Sequence, residues 1–78
     1  MTMILQDVNL GNIIRSIRLS KGFTQEKVVT ELQLLGSSLS RSSYSKIEMG
    51  IRNIKVTDLV LLKKVFKIGY SEFFNMFE

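Results

Sequence analysis

Apolar residues recur at helical spacing along this chain, and glycines interrupt the pattern. In residues 9–21, Leu10, Ile13, Ile14 and Ile17 fall on one face, because residues three and four apart share a side of an α-helix. Proline, which would break a helix interior, is absent from the sequence. The pattern therefore predicts an all-α fold, and no segment shows the alternation expected of paired strands.

Capping residues and glycines divide this pattern into five predicted helices, in residues 9–21, 24–36, 41–49, 58–66 and 72–78. The predicted N-caps are Asn9, Thr24, Ser40, Thr57 and Ser71. Gly22, Gly36 and Gly50 stand where the first three helices should end. Short helices joined by short loops predict one compact all-helical domain.

The same spacing predicts which apolar side chains point inward. Tyr44, Ile47 and Ile51 should lie on one side of the third helix, with Leu39 packing against Tyr44 as a hydrophobic staple. Residues 51–56 should form a loop that is anchored to the core by Ile51, Ile54 and Val56. Further along, the predicted inward residues are Leu59, Leu62, Val65, Phe66, Ile68 and Phe73.

Length and composition exclude several classes of function. With 78 residues, the chain has room for one small domain. It contains neither cysteine nor histidine, which removes disulfides, the usual zinc ligands, the usual catalytic base and the cysteine nucleophile. We therefore expect no enzymatic activity, no metal, no cofactor and no small-molecule ligand.

Positive charge is concentrated in the first two-thirds of the sequence. The net charge is +4, and residues 1–56 carry eight basic and four acidic side chains, against three of each in residues 57–78. Such a surplus indicates a polyanionic partner, nucleic acid before a lipid surface, although it also serves solubility.

Residues 1–8 are mildly apolar but too short for a signal peptide or a membrane span. We expect a cytoplasmic protein in which this segment is a flexible arm, or an arm that packs on a partner subunit, and residues 9–78 form the domain.

A serine-rich stretch, residues 37–50, contains the third predicted helix. Its outer side carries Arg41, Ser42, Ser45 and Lys46, which we call the basic face. Small serines keep a helix slim enough to enter a DNA major groove, where arginine can bond a guanine through two edges. The alternative is an ordinary solvated face, since exposed serine, lysine and arginine are common.

Three pieces of the sequence, in this order, resemble the lambda-repressor-like, or Xre/Cro-type, helix-turn-helix family. They are Arg18 four residues before Gly22-Phe23-Thr24-Gln25, then Ser-Arg-Ser-x-x-Ser-Lys-Ile-Glu over residues 40–48, then Gly50 followed by Arg52. The similarity spans about residues 9–76. It implies a compact five-helix domain whose third helix lies in the major groove while the second crosses the DNA backbone.

Carried over by position, the resemblance implies residue roles. It makes Arg41, Ser42 and Lys46 base readers, with Ser45 as a fourth candidate. It implies phosphate contacts from Thr24, Gln25, Ser43, Arg52, Asn53 and Lys55. Arg18 and Glu48 match a family ion pair between the first helix and the end of the third, and the alternative is two unrelated surface charges.

The sequence departs from the family around the turn. The stretch from Thr24 to Glu48 is about five residues longer than the common pattern, and Gln33 stands where the turn glycine usually sits. This predicts a lengthened turn, with a longer second helix and a longer connector. Val29 replaces a usual small residue, and Tyr44 a usual aliphatic one. The Tyr44 hydroxyl needs a partner if it is buried, or it emerges at the DNA surface.

Large apolar residues are frequent near the C-terminus and exceed what a small core needs. Those predicted to form a homodimer interface are Tyr70, Phe74, Met76 and Phe77. Family members commonly dimerise, and two-fold symmetry would place two reading helices one DNA turn apart, about 34 Å.

These observations predict a small transcriptional regulator that binds double-stranded DNA at a palindromic operator as a homodimer. The sequence does not separate a repressor, a restriction–modification controller and an antitoxin-like protein. The competing hypothesis is a protein–protein interaction module of the same fold that has lost DNA binding.

Overall fold

The computed structural model describes residues 3–4 and 10–75, and the side chains of residues 10–69, 71, 72 and 75. The elements in chain order are β1 (Met3–Ile4), α1 (Leu10–Ser20), α2 (Gln25–Leu34), α3 (Arg41–Glu48), β2 (Ile54–Lys55), α4 (Val56–Phe66) and α5 (Tyr70–Asn75). The predicted all-α, helix-turn-helix class is confirmed.

A short strand pair is the one departure from the predicted all-helical pattern within the described residues. Met3 pairs with Lys55 and Ile4 with Ile54 in an antiparallel ladder. Each strand is two residues long, so no alternation of polar and apolar residues could reveal it.

The hydrophobic core lies where α1, α2, α3 and α4 meet. The inward residues predicted for α4 are confirmed, since Leu59, Leu62, Val65 and Phe66 are all buried. Ile68 is buried as predicted, whereas the side chain of Phe73 lies outside the described residues. No helix among the described residues is long and apolar enough to cross a membrane.

Three predictions after α3 are wrong in detail. Ile51 is 67% exposed instead of anchored in the core, because Gly50 adopts φ +79° and turns the chain off the helical path. Val56 is only half-buried, although Ile54 is buried as predicted. Thr57 is not the N-cap of α4, which begins at Val56 with Lys55 in the cap position and no side-chain cap bond.

The last predicted cap is also displaced, because α5 begins at Tyr70 and Ser71 lies inside the helix. The cap predicted at Asn9, and residues 76–78 of the last predicted helix, lie outside the described residues.

Lys67 ends α4 in the left-handed conformation, with φ 56° and ψ 46°. A residue with a Cβ is strained there, and glycine is not. We expect Lys67→Gly to raise the free energy of unfolding by about 0.5–1 kcal/mol in urea denaturation. Lys64→Gly, on the exposed side of α4, is the matched control and should lower it by about 1 kcal/mol. A loss of stability in Lys67→Gly would contradict the left-handed conformation of Lys67.

Candidate nucleic-acid interface

Serine and threonine caps fix the starts of α2 and α3 as predicted. Thr24 Oγ1 accepts the Lys27 N–H at 3.0 Å, and Ser40 Oγ accepts the Ser43 N–H at 3.1 Å. Each bond satisfies a backbone donor that has no partner inside its helix. The two helices of the helix-turn-helix therefore begin at positions set by their own sequences.

The connector between α2 and α3 is held by hydrogen bonds to α2 and to α4. Gln33, in the position of the usual turn glycine, donates its side-chain amide to the carbonyl of Leu39 at 2.9 Å. The Ser37 hydroxyl donates to Asp58 Oδ1 of α4 at 2.9 Å and accepts the Leu39 N–H at 3.1 Å. Leu39 itself is buried in the core. The longer serine-rich connector is thus a defined element that sets the position of α3.

α3 buries one side and exposes the basic face. Tyr44, Ile47 and Glu48 are buried. Arg41, Ser42 and Lys46 are exposed and Ser45 is half-exposed. Within the described part of the chain, neither Arg41 nor Lys46 has an ion-pair partner. The structure therefore brings the four predicted base readers to one accessible side of one helix.

A buried ion pair anchors the C-terminal end of α3 to α1. Arg18 Nε donates to Glu48 Oε2 at 2.8 Å, and Nη2 donates to Oε1 at 3.1 Å. The Arg18 and Glu48 side chains are 9% and 2% exposed. Arg18 Nη1 also donates to the Phe23 carbonyl at 2.8 Å. The predicted ion pair is present and bidentate, and Arg18 also holds the turn that leads into α2.

Gln25 joins this ion pair, which sequence reasoning did not anticipate. Its side-chain amide donates to Glu48 Oε1 at 3.0 Å. The start of α2 is thereby tied to the end of α3. The predicted contact of Gln25 with a phosphate stays a prediction, but the amide N–H that bonds Glu48 is already engaged.

The other predicted phosphate-contacting residues lie beside α3 and at the start of α2. Ser43, Arg52, Asn53 and Lys55 line one cavity of about 90 Å³ beside the N-cap Ser40. Thr24 is exposed at the start of α2, next to Gln25 and hence near the far end of α3. The structure therefore places polar and basic side chains along one side of α3, and the Thr24 hydroxyl near its C-terminal end.

Tyr44 is buried beneath α3 and does not emerge at the surface. Its side chain is fully inaccessible, and its hydroxyl has no partner in hydrogen-bond geometry among the described residues. Burial, followed by the nearby Glu48 carboxylate, raises the pKa of Tyr44. Of the two outcomes considered for this hydroxyl, burial is the one observed, and the polar groups that interact with the hydroxyl there are those of Glu48 and Arg18.

Gly11 is a packing residue beside α3 that sequence reasoning missed. A Cβ built on it would lie 2.6 Å from the Glu48 carbonyl oxygen and still closer to that of Ile47. α1 therefore touches the backbone of α3 at a point where only glycine fits. An isolated glycine inside a helical pattern is the available signal, and it indicates close packing without naming the partner.

The stability of the protein should fall in acid through Glu48. Although burial alone would raise it, hydrogen bonds from Arg18 and Gln25 hold the pKa of Glu48 below its ordinary value of about 4.5. A carboxylate with a lowered pKa in the folded state adds stability at neutral pH, and this stability is lost as pH falls through the folded-state pKa. Urea denaturation between pH 7 and pH 3 should show this loss in the wild type and a weaker one in Glu48→Gln.

Glu31→Gln is the matched control for that experiment, because Glu31 is 45% exposed and forms only a surface pair with Lys27 at 3.7 Å. We expect it to keep the wild-type pH dependence. Identical pH profiles for Glu48→Gln and the wild type would contradict the role assigned to Glu48.

Among the described residues, no group of acidic, histidine or cysteine side chains is placed to hold a metal ion.

The predicted dimer interface falls on side chains outside the described part of the chain. The side chains of Tyr70 and Phe74, and residues Met76 and Phe77, lie outside the described residues.

This chain matches a known protein family and is similar to solved structures. Residues 14–73 match the family described as helix-turn-helix. The crystal structure of the wild-type restriction–modification controller protein C.Esp1396I is 32% identical, with 87% of this chain and 83% of that chain covered and a TM-score of 0.75. The tetramer of the same controller in complex with its natural 35 base-pair operator is also 32% identical, with the same coverage and a TM-score of 0.74. No curated protein sequence matches this chain.

Proposed function

The chain belongs to the helix-turn-helix family, and on that premise we propose that it is a sequence-specific, double-stranded-DNA-binding transcriptional regulator. α3 is its reading helix, and it acts without enzymatic activity. Among the three regulator types that the sequence leaves open, the similarity to C.Esp1396I favours a restriction–modification controller. The proposed location is the cytoplasm, where such a regulator would meet its operator.

The observation that carries this proposal is the exposure of the basic face on a helix that is locked at both ends. Ser40 caps the start of α3, and the Arg18–Glu48 pair holds its end. Arg41 can bond guanine O6 and N7 together, and Lys46 can bond a base edge or a phosphate. Ser42 and Ser45 are small, so the helix can approach the floor of the groove closely. A fixed helix keeps these donors in register with the bases.

Backbone contacts at the two ends of α3 would set its orientation. Phosphate contacts position a protein on the duplex, whereas base contacts specify the sequence. Arg52 and Lys55 beside the cavity at Ser40 suit the phosphates on one wall of the groove. The exposed start of α2 at Thr24 suits the other wall, because a helix N-terminus favours an anion.

We infer that the protein binds its operator as a homodimer or a higher oligomer. The related controller is a tetramer on its 35 base-pair operator. Two copies related by a two-fold axis would read two half-sites about 34 Å apart, which implies a palindromic operator. The interface proposed from the sequence, at Tyr70, Phe74, Met76 and Phe77, stays a prediction.

The competing interaction module gains no support from the turn. A longer turn that misplaced α3, together with the modest net charge of +4, would favour such a module. The connector is instead fixed by Gln33 and Ser37, and the basic face is exposed. We therefore retain DNA binding as the proposed function.

Salt dependence tests the proposed function directly. The dissociation constant for a mixed-sequence duplex should rise steeply with salt, because each neutralised phosphate releases counterions. In a plot of the logarithm of the binding constant against the logarithm of the salt concentration, Lys55→Ala should reduce the magnitude of the slope by about 1. Lys64→Ala removes an equally exposed lysine from α4, outside the proposed interface, and should leave the slope unchanged. Absence of binding at low salt, or affinity that does not change with salt, would overturn the proposal.

A further inference from the structure

Met49 is an exposed apolar side chain in the middle of the basic face. It is 64% exposed at the C-cap of α3. It follows Ser42 by seven positions, Ser45 by four and Lys46 by three, and these spacings all fall on one side of a helix. The roles assigned above use the charged and hydroxyl groups of this face and leave Met49 without one.

The helix fixes the direction of Met49. Its backbone N–H bonds the Ser45 carbonyl at 3.1 Å, and its φ of −79° is helical. Gly50 turns the chain immediately afterwards, so the next exposed apolar residue, Ile51, is off the helix. A helical side chain leans toward the N-terminus of its helix. This tendency directs Met49 back toward Ser45, whose side chain is small, and Met49 is 64% exposed.

The surroundings of Met49 favour DNA over a protein as its partner. A protein that covered Met49 would also have to cover the cations of Arg41 and Lys46, whereas DNA neutralises them with phosphates and base acceptors. The apolar group that the major groove offers is the 5-methyl of thymine. A flexible, polarizable thioether side chain adapts to such a contact.

We propose that Met49 contacts a thymine methyl and makes the operator specific for a T·A pair opposite the C-terminal end of α3. This inference rests on the proposed function, since it requires α3 to lie in the major groove. It adds a specificity-determining residue of a different chemistry from the polar readers Arg41, Ser42, Ser45 and Lys46.

The test removes the 5-methyl group from the base and the thioether group from the protein. Thymines of a duplex selected by the wild type are replaced by uracil one position at a time, symmetrically in both half-sites. Dissociation constants are then measured at one salt concentration for the wild type, Met49→Ala and Ile51→Ala. Ile51→Ala is the matched control, because Ile51 is 67% exposed and lies past the turn at Gly50.

We expect one symmetric position at which uracil weakens wild-type binding roughly three- to fivefold per half-site, the effect of one buried methyl group. Met49→Ala should bind the thymine duplex more weakly and lose this sensitivity, while Ile51→Ala keeps it. If replacing thymine by uracil weakened the binding of Met49→Ala as much as that of the wild type at every position tested, the inference would be overturned. A lower oligomeric mass of Met49→Ala with unchanged methyl sensitivity would assign Met49 to a protein contact and also overturn it.

Failure of this inference is distinguishable from failure of the proposed function. Suppose that the wild type selects a duplex and that Arg41→Ala loses part of its base preference, but that Met49→Ala responds to uracil as the wild type does. Only the inference then fails. If the wild type selects no duplex at all, both fail.

Discussion

Arg18→Ala should destabilise the protein by about 3–5 kcal/mol, because it leaves the carboxylate of Glu48 buried without its cation. Glu48 is 2% exposed at its side chain and would retain only the amide of Gln25 among the partners described. The variant also loses the bond from Arg18 to the Phe23 carbonyl. For a chain of 78 residues this loss is a large fraction of the total free energy of unfolding.

Urea denaturation at pH 7 measures this effect, with Arg15→Ala as the matched control. Arg15 is an exposed arginine one turn earlier on α1, and its removal should change the free energy of unfolding by less than about 0.5 kcal/mol. The double variant Arg18→Met, Glu48→Leu should recover part of the loss, because no uncompensated charge stays buried. If Arg18→Ala unfolded at the same urea concentration as the wild type, the stabilising role assigned to the Arg18–Glu48 pair would be contradicted.

Gly11→Ala should destabilise the protein by about 1–3 kcal/mol. The new Cβ would meet the carbonyl oxygens of Ile47 and Glu48, and these backbone atoms cannot move away as a flexible side chain could. α1 would have to shift away from the end of α3. The direction of the change in the free energy of unfolding is diagnostic, because alanine in place of glycine normally stabilises a helix by about 1 kcal/mol.

Gly69→Ala is the control for this prediction. Among the described residues, no atom beyond its two chain neighbours lies within 4 Å of a Cβ built on Gly69, and its φ is not positive. Gly69→Ala should therefore be neutral or stabilising in the same denaturation experiment. A Gly11→Ala protein as stable as the wild type would show that α1 and α3 do not pack as closely as described.

Local patterns were sufficient to predict the helices and the caps of α2 and α3. Thr24 and Ser40 were identified from residue type and position, and both cap as expected. The helical spacing of Leu59, Leu62 and Phe66 correctly identified the buried side of α4. These predictions hold because caps and periodicity depend on residues within one or two turns of each other.

Predictions failed where the backbone leaves its regular path. Ile51 continues the apolar spacing of α3 only if the helix continues, and the positive φ of Gly50 ends it. Thr57 has the residue type of a cap, but α4 begins one residue earlier, beside the short ladder at Ile54 and Lys55. A local pattern contains neither the turn angle nor the ladder partner.

Contacts between distant parts of the chain could not be derived from periodicity. The close approach of Gly11 to Ile47, and the bond from Gln25 to Glu48, join residues more than twenty positions apart. The Arg18–Glu48 pair was predicted through resemblance to a family, which carries such long-range information. Gln33 was recognised as an exception in the turn, but its bond to Leu39 depends on the path of the connector.

The central claim is that α3 reads DNA through its basic face, and selection of duplexes from a randomised pool tests it most directly. The selection is run in parallel for the wild type and Arg41→Ala. The account predicts that the wild type enriches a two-fold symmetric site and that Arg41→Ala relaxes it at one symmetric base pair, a loss of about 1–3 kcal/mol of discrimination there. Enrichment of no sequence by the wild type at low salt would contradict the account.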